Sequence, residues 1–157
     1  MKPTVYIETS VVSYLTARPS RDLIVAGHQQ ITAEWWSSVR PQVDCFISPF
    51  VIEEASRGDE EASERRMAAL AGFAILEVNE DVQRLAERYF SAIDLPDRAR
   101  IDAFHLAMAV WHGTDYLLSW NCKHIASARV RKTLAEINET LGIQTPVICT
   151  PEELMEV

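Results

Sequence analysis

Residues 101–111, IDAFHLAMAVW, constrain the fold more than any other stretch of this chain. They read as a helix that is apolar almost all round, and such a helix belongs inside a core rather than on a surface. Asp102 sits near its start. A carboxylate desolvated there costs several kcal/mol unless something compensates it. Glu8, Glu54 and Asn121 are further candidate oxygen donors, each placed at or just after the end of a predicted strand.

The pattern around this helix alternates strand and helix. Thr4-Val5-Tyr6-Ile7 is β-branched and aromatic and predicts a first strand. Thr9 or Ser10 is placed to cap a helix over residues 11–17, and a longer helix runs over 22–40 until Pro41. Residues 45–48 predict a second strand, with Pro49 suited to the first turn of the helix behind it. Further helices are expected at 62–71, 81–93 and 125–141, strands at 74–78, 116–119 and 146–149, and a last helical turn from Pro151. No repeat, low-complexity tract or linker interrupts this order. It predicts one domain over residues 1–157, a three-layer α/β/α sandwich with a mainly parallel central sheet.

Composition narrows the function. The 157 residues are 48% hydrophobic and 24% charged, enough apolar material for one compact core. The net charge of −8 argues against a non-specific nucleic-acid binder, which needs clustered Lys and Arg. It does not exclude an enzyme that meets phosphate through a bound cation. No apolar run approaches the ~20 residues of a membrane span, and no apolar leader is visible at the N-terminus. Cys45, Cys122 and Cys149 are odd in number and lack ligand spacing, as expected of reduced thiols in the cytoplasm.

In open parallel sheets, ligands bind beyond the carboxyl ends of the strands. Glu8, Glu54, Asp102 and Asn121 all reach that edge in the predicted arrangement. Two carboxylates ~4 Å apart repel by about 4 kcal/mol at an effective dielectric near 20, so a cluster of three calls for a cation. Oxygen donors without paired Cys or His favour Mg²⁺ or Mn²⁺ over Zn²⁺.

Four segments then carry a resemblance: Tyr6-Ile7-Glu8-Thr9-Ser10-Val11, Ser48…Glu54-Ala55-Ser56-Arg57-Gly58, Asp102-Ala103-Phe104-His105-Leu106-Ala107-Met108-Ala109, and Leu118-Ser119-Trp120-Asn121. Together, and in this order, they resemble the PIN-domain ribonucleases, in particular the VapC toxins of toxin–antitoxin pairs. The resemblance implies a PIN-like fold and Mg²⁺- or Mn²⁺-dependent cleavage of RNA phosphodiesters. It implies Glu8, Glu54 and Asp102 as metal ligands, Asn121 as a weaker fourth position, and Thr9, Ser10 and Ser119 as supporting hydroxyls. It also implies a homodimer held inactive by a small antitoxin. The family usually has Asp where this chain has Glu8, and the extra methylene moves the carboxylate by more than 1 Å unless the backbone yields.

Several residues have competing readings. Glu53 rivals Glu54 and points ~100° away on the same helix; the family's offset to Gly58 favours Glu54, and the residues themselves leave the choice open. Asn121 is equally a turn residue, Asp97 reads as a helix N-cap, and His105 reads first as a satisfied core histidine. Trp35 and Trp36 read as core or dimer-interface residues. The rival function is a PIN-like module, weak or inactive as an enzyme, that binds RNA or a protein. A phosphoacceptor receiver domain shares the layering, but the third predicted strand ends Leu76-Glu77-Val78 rather than in the Asp that chemistry needs.

Overall fold

The computed structural model describes all 157 residues. Five strands, β1 (Thr4–Ile7), β2 (Asp44–Ile47), β3 (Ala74–Ile75), β4 (Tyr116–Leu118) and β5 (Val147–Cys149), form one sheet in the order β3-β2-β1-β4-β5. Every neighbouring pair is parallel, with Tyr6 in register with Phe46 on one side and Leu117 on the other. Val5, Tyr6 and Ile7 are wholly buried, as a central parallel strand covered on both faces requires.

Seven α-helices cover the sheet: α1 (Thr9–Thr16), α2 (Leu23–Ser38), α3 (Pro49–Ala55), α4 (Glu60–Leu70), α5 (Glu80–Ile93), α6 (Arg100–Trp111) and α7 (Ala128–Leu141). Right-handed crossovers put α1–α4 on one face and α5–α7 on the other. The contacts agree: α1 packs on α2, α3 and α4, while α5 packs on α6 and α7. This is the three-layer α/β/α sandwich expected from the sequence. Helix starts follow the capping chemistry of the chain. Asp22, Ser48, Asp59, Asn79 and Ser127 each accept hydrogen bonds from the first-turn amides of their helices.

The apolar helix is α6. Ala103 and residues 105–110 are all buried, so the all-round apolar pattern is satisfied by packing. Gly113, at φ 66, turns the chain back toward β4 in a conformation that a side chain would strain.

Five local expectations need correction. Helix α1 starts at Thr9 with Glu8 itself as the cap, its carboxylate accepting from Ser10 N–H, so neither Thr9 nor Ser10 caps it. Strand β3 keeps only two residues, because its edge position leaves residues 76–78 without a ladder partner beyond Leu76 N–H. The last long helix starts at Ala128, since Asn121 holds the preceding segment in a turn through its carbonyl and Oδ1. Asp97 makes no side-chain cap bond; it is exposed in a 3-10 turn over Asp97–Ala99, 4.0 Å from Arg100. Residues 151–154 form turns rather than helix.

Candidate active site

Strand order reverses at β1: the chain moves outward through β2 and β3, then returns to place β4 on the opposite side. The loops after β1 and β4 therefore diverge, leaving a crevice at the carboxyl ends of these strands, where ligands bind in open parallel folds. Glu8 follows β1 directly, and its N–H donates to Leu118 O at 3.0 Å. Ser119 and Asn121 follow β4. Glu54 comes from the last turn of α3 and Asp102 from the first turn of α6.

Glu8 is 3% exposed, and its carboxylate is fully engaged. Oε1 accepts from Ser10 Oγ and Ser119 Oγ, both at 2.5 Å, and Oε2 accepts from Ser10 N–H at 3.1 Å. The two hydroxyls accept in turn from the Trp120 and Asn121 backbone amides at 2.8 and 2.9 Å. Each serine thus spends its single proton on Glu8.

Glu54 is half-buried. Its Oε1 accepts from Thr9 Oγ1 at 2.6 Å and from His105 Nε2 at 2.5 Å, while Oε2 makes no hydrogen bond. Burial pushes this carboxyl up, but the hydrogen bond and charge of His105, with Thr9 and Arg57, pull it below its ordinary value. Glu53 points out and pairs with Arg57 at 2.5 Å, so the two neighbouring acids are separated as their helical offset predicts.

Asp102 is 7% exposed and has its pKa raised to about 6. Desolvation is the main cause, followed by the negative charge of Glu8. His105 and the Asn121 amide act in the opposite direction, and Glu54 adds a smaller upward push. Asn121 Oδ1 accepts from His124 N–H at 3.0 Å, so the amide nitrogen is the end left to meet Asp102. Asn121 is therefore both turn residue and carboxylate support. His124 Nδ1 lies 3.2 Å from Asp102 Oδ2. Burial, together with Lys123, Arg98 and Arg129, holds the His124 imidazole below its ordinary pKa.

His105 is wholly buried, as expected of a core histidine, yet it also belongs to the site. Its Nδ1 is 2.7 Å from Tyr6 OH, which is 2.7 Å from Ser48 Oγ. Burial lowers the His105 pKa, but the Glu54 hydrogen bond and the charges of Glu8, Glu54 and Asp102 outweigh it and raise it overall. Tyr6, wholly buried, is held as a neutral phenol well above its usual range by desolvation. The Ser48–Tyr6–His105–Glu54–Thr9 chain was not legible in the sequence. Its only trace was the spacing of Asp102 and His105, three residues apart on one helical face.

Glu8, Glu54 and His105 offer atoms that all lie within 4.8 Å of one another. Asp102, the expected third acid, lies outside that group but close enough for the charges of Glu8, His105 and Glu54 to act on it, so the crevice is mainly carboxylate and a third negative charge is already disfavoured. That is the environment a hard divalent cation fits.

No protein-family model matches the sequence, and no curated protein matches it. Solved structures do match in fold. One is a chain of VapBC2 from Rickettsia felis, bound to a DNA fragment from its promoter. It has a TM-score of 0.58 and 10% identity, and the match covers 94% of this chain and 98% of that one. Another is a chain of VapBC-1 from nontypeable Haemophilus influenzae, with a TM-score of 0.59, 13% identity and coverage of 95% and 98%. The likeness is one of fold and runs nearly end to end. It is consistent with the three-layer α/β/α architecture expected from the sequence.

Proposed function

We infer that this chain is a metal-dependent endoribonuclease of the VapC toxin type, with Mg²⁺ or Mn²⁺ as its ion. The observation that carries the reading is the gathering of carboxylates at the β1/β4 crevice: Glu8 and Glu54 share one 4.8 Å group with His105, and Asp102 is near enough to feel their charge, its pKa raised to about 6. Glu54 and Asp102 would hold the ion directly, with Glu8 completing the acidic wall. A bound divalent ion supplies an activated water and charge stabilisation at the scissile phosphate.

The chain's own residues do the rest. Ser10 and Ser119 fix the Glu8 carboxylate, Thr9 and His105 fix Glu54, and the Asn121 amide favours the charged form of Asp102. The partners we infer are single-stranded or structured RNA as substrate, a second copy of this chain, and a small antitoxin. The antitoxin is supported by the VapBC complexes among the similar structures.

The test is cleavage of end-labelled RNA by antitoxin-free protein with Mg²⁺ or Mn²⁺, against Asp102→Asn and Glu54→Gln. Loss of at least ~100-fold in both variants, with unchanged circular dichroism, is the expected result. Wild-type protein inert with either ion would instead support the binding module.

A further inference from the structure

We propose that His105 is a positioning residue for Glu54 rather than a metal ligand, presenting Glu54 Oε2 to the ion by engaging Oε1. This role rests on the metal-centre reading above and goes beyond it. His105 would otherwise be the natural third donor, because its ring lies with Glu8 and Glu54 inside one 4.8 Å group. Its hydrogen bonds argue against that.

Both ring nitrogens are committed in either protonation state. In the neutral ring with Nε2–H, that proton goes to Glu54 Oε1, and Nδ1 accepts from Tyr6 OH, which accepts from Ser48 Oγ–H. In the imidazolium, Nε2–H still goes to Glu54, Nδ1–H donates to Tyr6 oxygen, and Tyr6 OH donates to Ser48 Oγ. The chain reverses direction without losing a bond. Neither state leaves a nitrogen lone pair for a cation.

The same bonds define what Glu54 offers. Oε1 takes two donors, Thr9 Oγ1–H and His105 Nε2–H, and Oε2 takes none. A glutamate on the last turn of a short helix has three rotatable bonds to fix. Here it is clamped at one oxygen from two different elements, α1 and α6. Tyr6, on the central strand, aims the His105 ring and thereby ties the clamp to the most buried part of the sheet.

The experiment is Mn²⁺ titration of the full chain by calorimetry, with electron spin echo envelope modulation at the bound Mn²⁺ and thermal unfolding of every variant. Wild-type protein is expected to bind Mn²⁺ without a directly bound imidazole ¹⁴N coupling. His105→Leu should weaken Mn²⁺ affinity by about 10–100-fold, and Tyr6→Phe, which keeps the ring packing, by about 10-fold. His105→Gln, which retains an amide donor toward Glu54, should recover part of the loss. A histidine that only packs would shift the melting temperature and leave Mn²⁺ affinity unchanged. A directly bound ¹⁴N coupling that His105→Gln removes overturns the proposal while leaving the metal centre standing. So does Mn²⁺ affinity within twofold of wild type in Tyr6→Phe, which decides the matter alone if His105→Leu fails to fold. Wild-type protein that binds no Mn²⁺ overturns the metal centre, and this role falls with it.

Discussion

At the amino ends of β1 and β4, Asp115 stands as a lone exposed carboxylate. Its Oδ2 accepts from Thr4 N–H at 2.8 Å and Thr4 Oγ1 at 3.0 Å, and its own N–H returns a bond to Thr4 Oγ1 at 2.9 Å. At the carboxyl ends of the same two strands, Glu8 and Asp102 are gathered out of solvent beside half-buried Glu54. The Asp115 exchange clips two strand starts together while water solvates the charge. In the crevice, donors are sufficient for Glu8 and for one oxygen of Glu54, but Asp102 is left with Asn121 and a His124 whose pKa is lowered by burial and neighbouring cations. A structural carboxylate is matched to its donors, whereas this cluster carries more negative charge than its surroundings satisfy.

That contrast gives three tests of decreasing size. The largest is the stability of metal-free protein in Asp102→Asn. Burial raises the Asp102 pKa from 3.8 to about 6, so the folded state holds a proton that the unfolded chain releases between these values. Stability is therefore lost as pH rises through 4 to 6, and the asparagine variant escapes the loss. It should be more stable than wild type by on the order of 2–3 kcal/mol at pH 7.5, with no gain below pH 4, by urea unfolding. An equal stability at both pH values would mean that the crevice is not short of positive charge.

Next in size is ligand stabilisation. Mn²⁺ at about 10 times its Kd should add roughly 1.4 kcal/mol to wild type, a few degrees in melting temperature. The shift should shrink at pH 5, where the Asp102 proton competes with the ion, and nearly vanish in Asp102→Asn. The smallest effect belongs to the other end of the sheet. Asp115→Ala should cost about 1 kcal/mol in unfolding experiments and leave Mn²⁺ affinity untouched. A change in Mn²⁺ binding there would erase the distinction between the two ends.

Most of the architecture was legible because its signals are local. The TVYI strand, the Ser48-Pro49 start of α3 and the Gly142 end of α7 each fall where the sequence put them. Glu8 and Asp102 were legible because a strand end and a carboxylate in an apolar helix are local features, whereas only the family resemblance favoured Glu54 over Glu53. What escaped depends on residues distant in sequence. His105 meets Glu54 and Tyr6 from 51 and 99 positions away, so whether it packs or bonds is decided only when α6 settles over β1. The two-residue length of β3 is likewise set by its edge position and not by its own residues.

Glu8 is the first-turn cap of α1 as well as one wall of the acidic crevice. Its oxygens therefore answer to the folding of a helix and, on the proposed reading, to the acidic wall around an ion. Any replacement that silences the chemistry also frays the scaffold beside it. A loss of activity at this position is uninterpretable by itself. The clean reporters are the neighbours that serve only one of these ends.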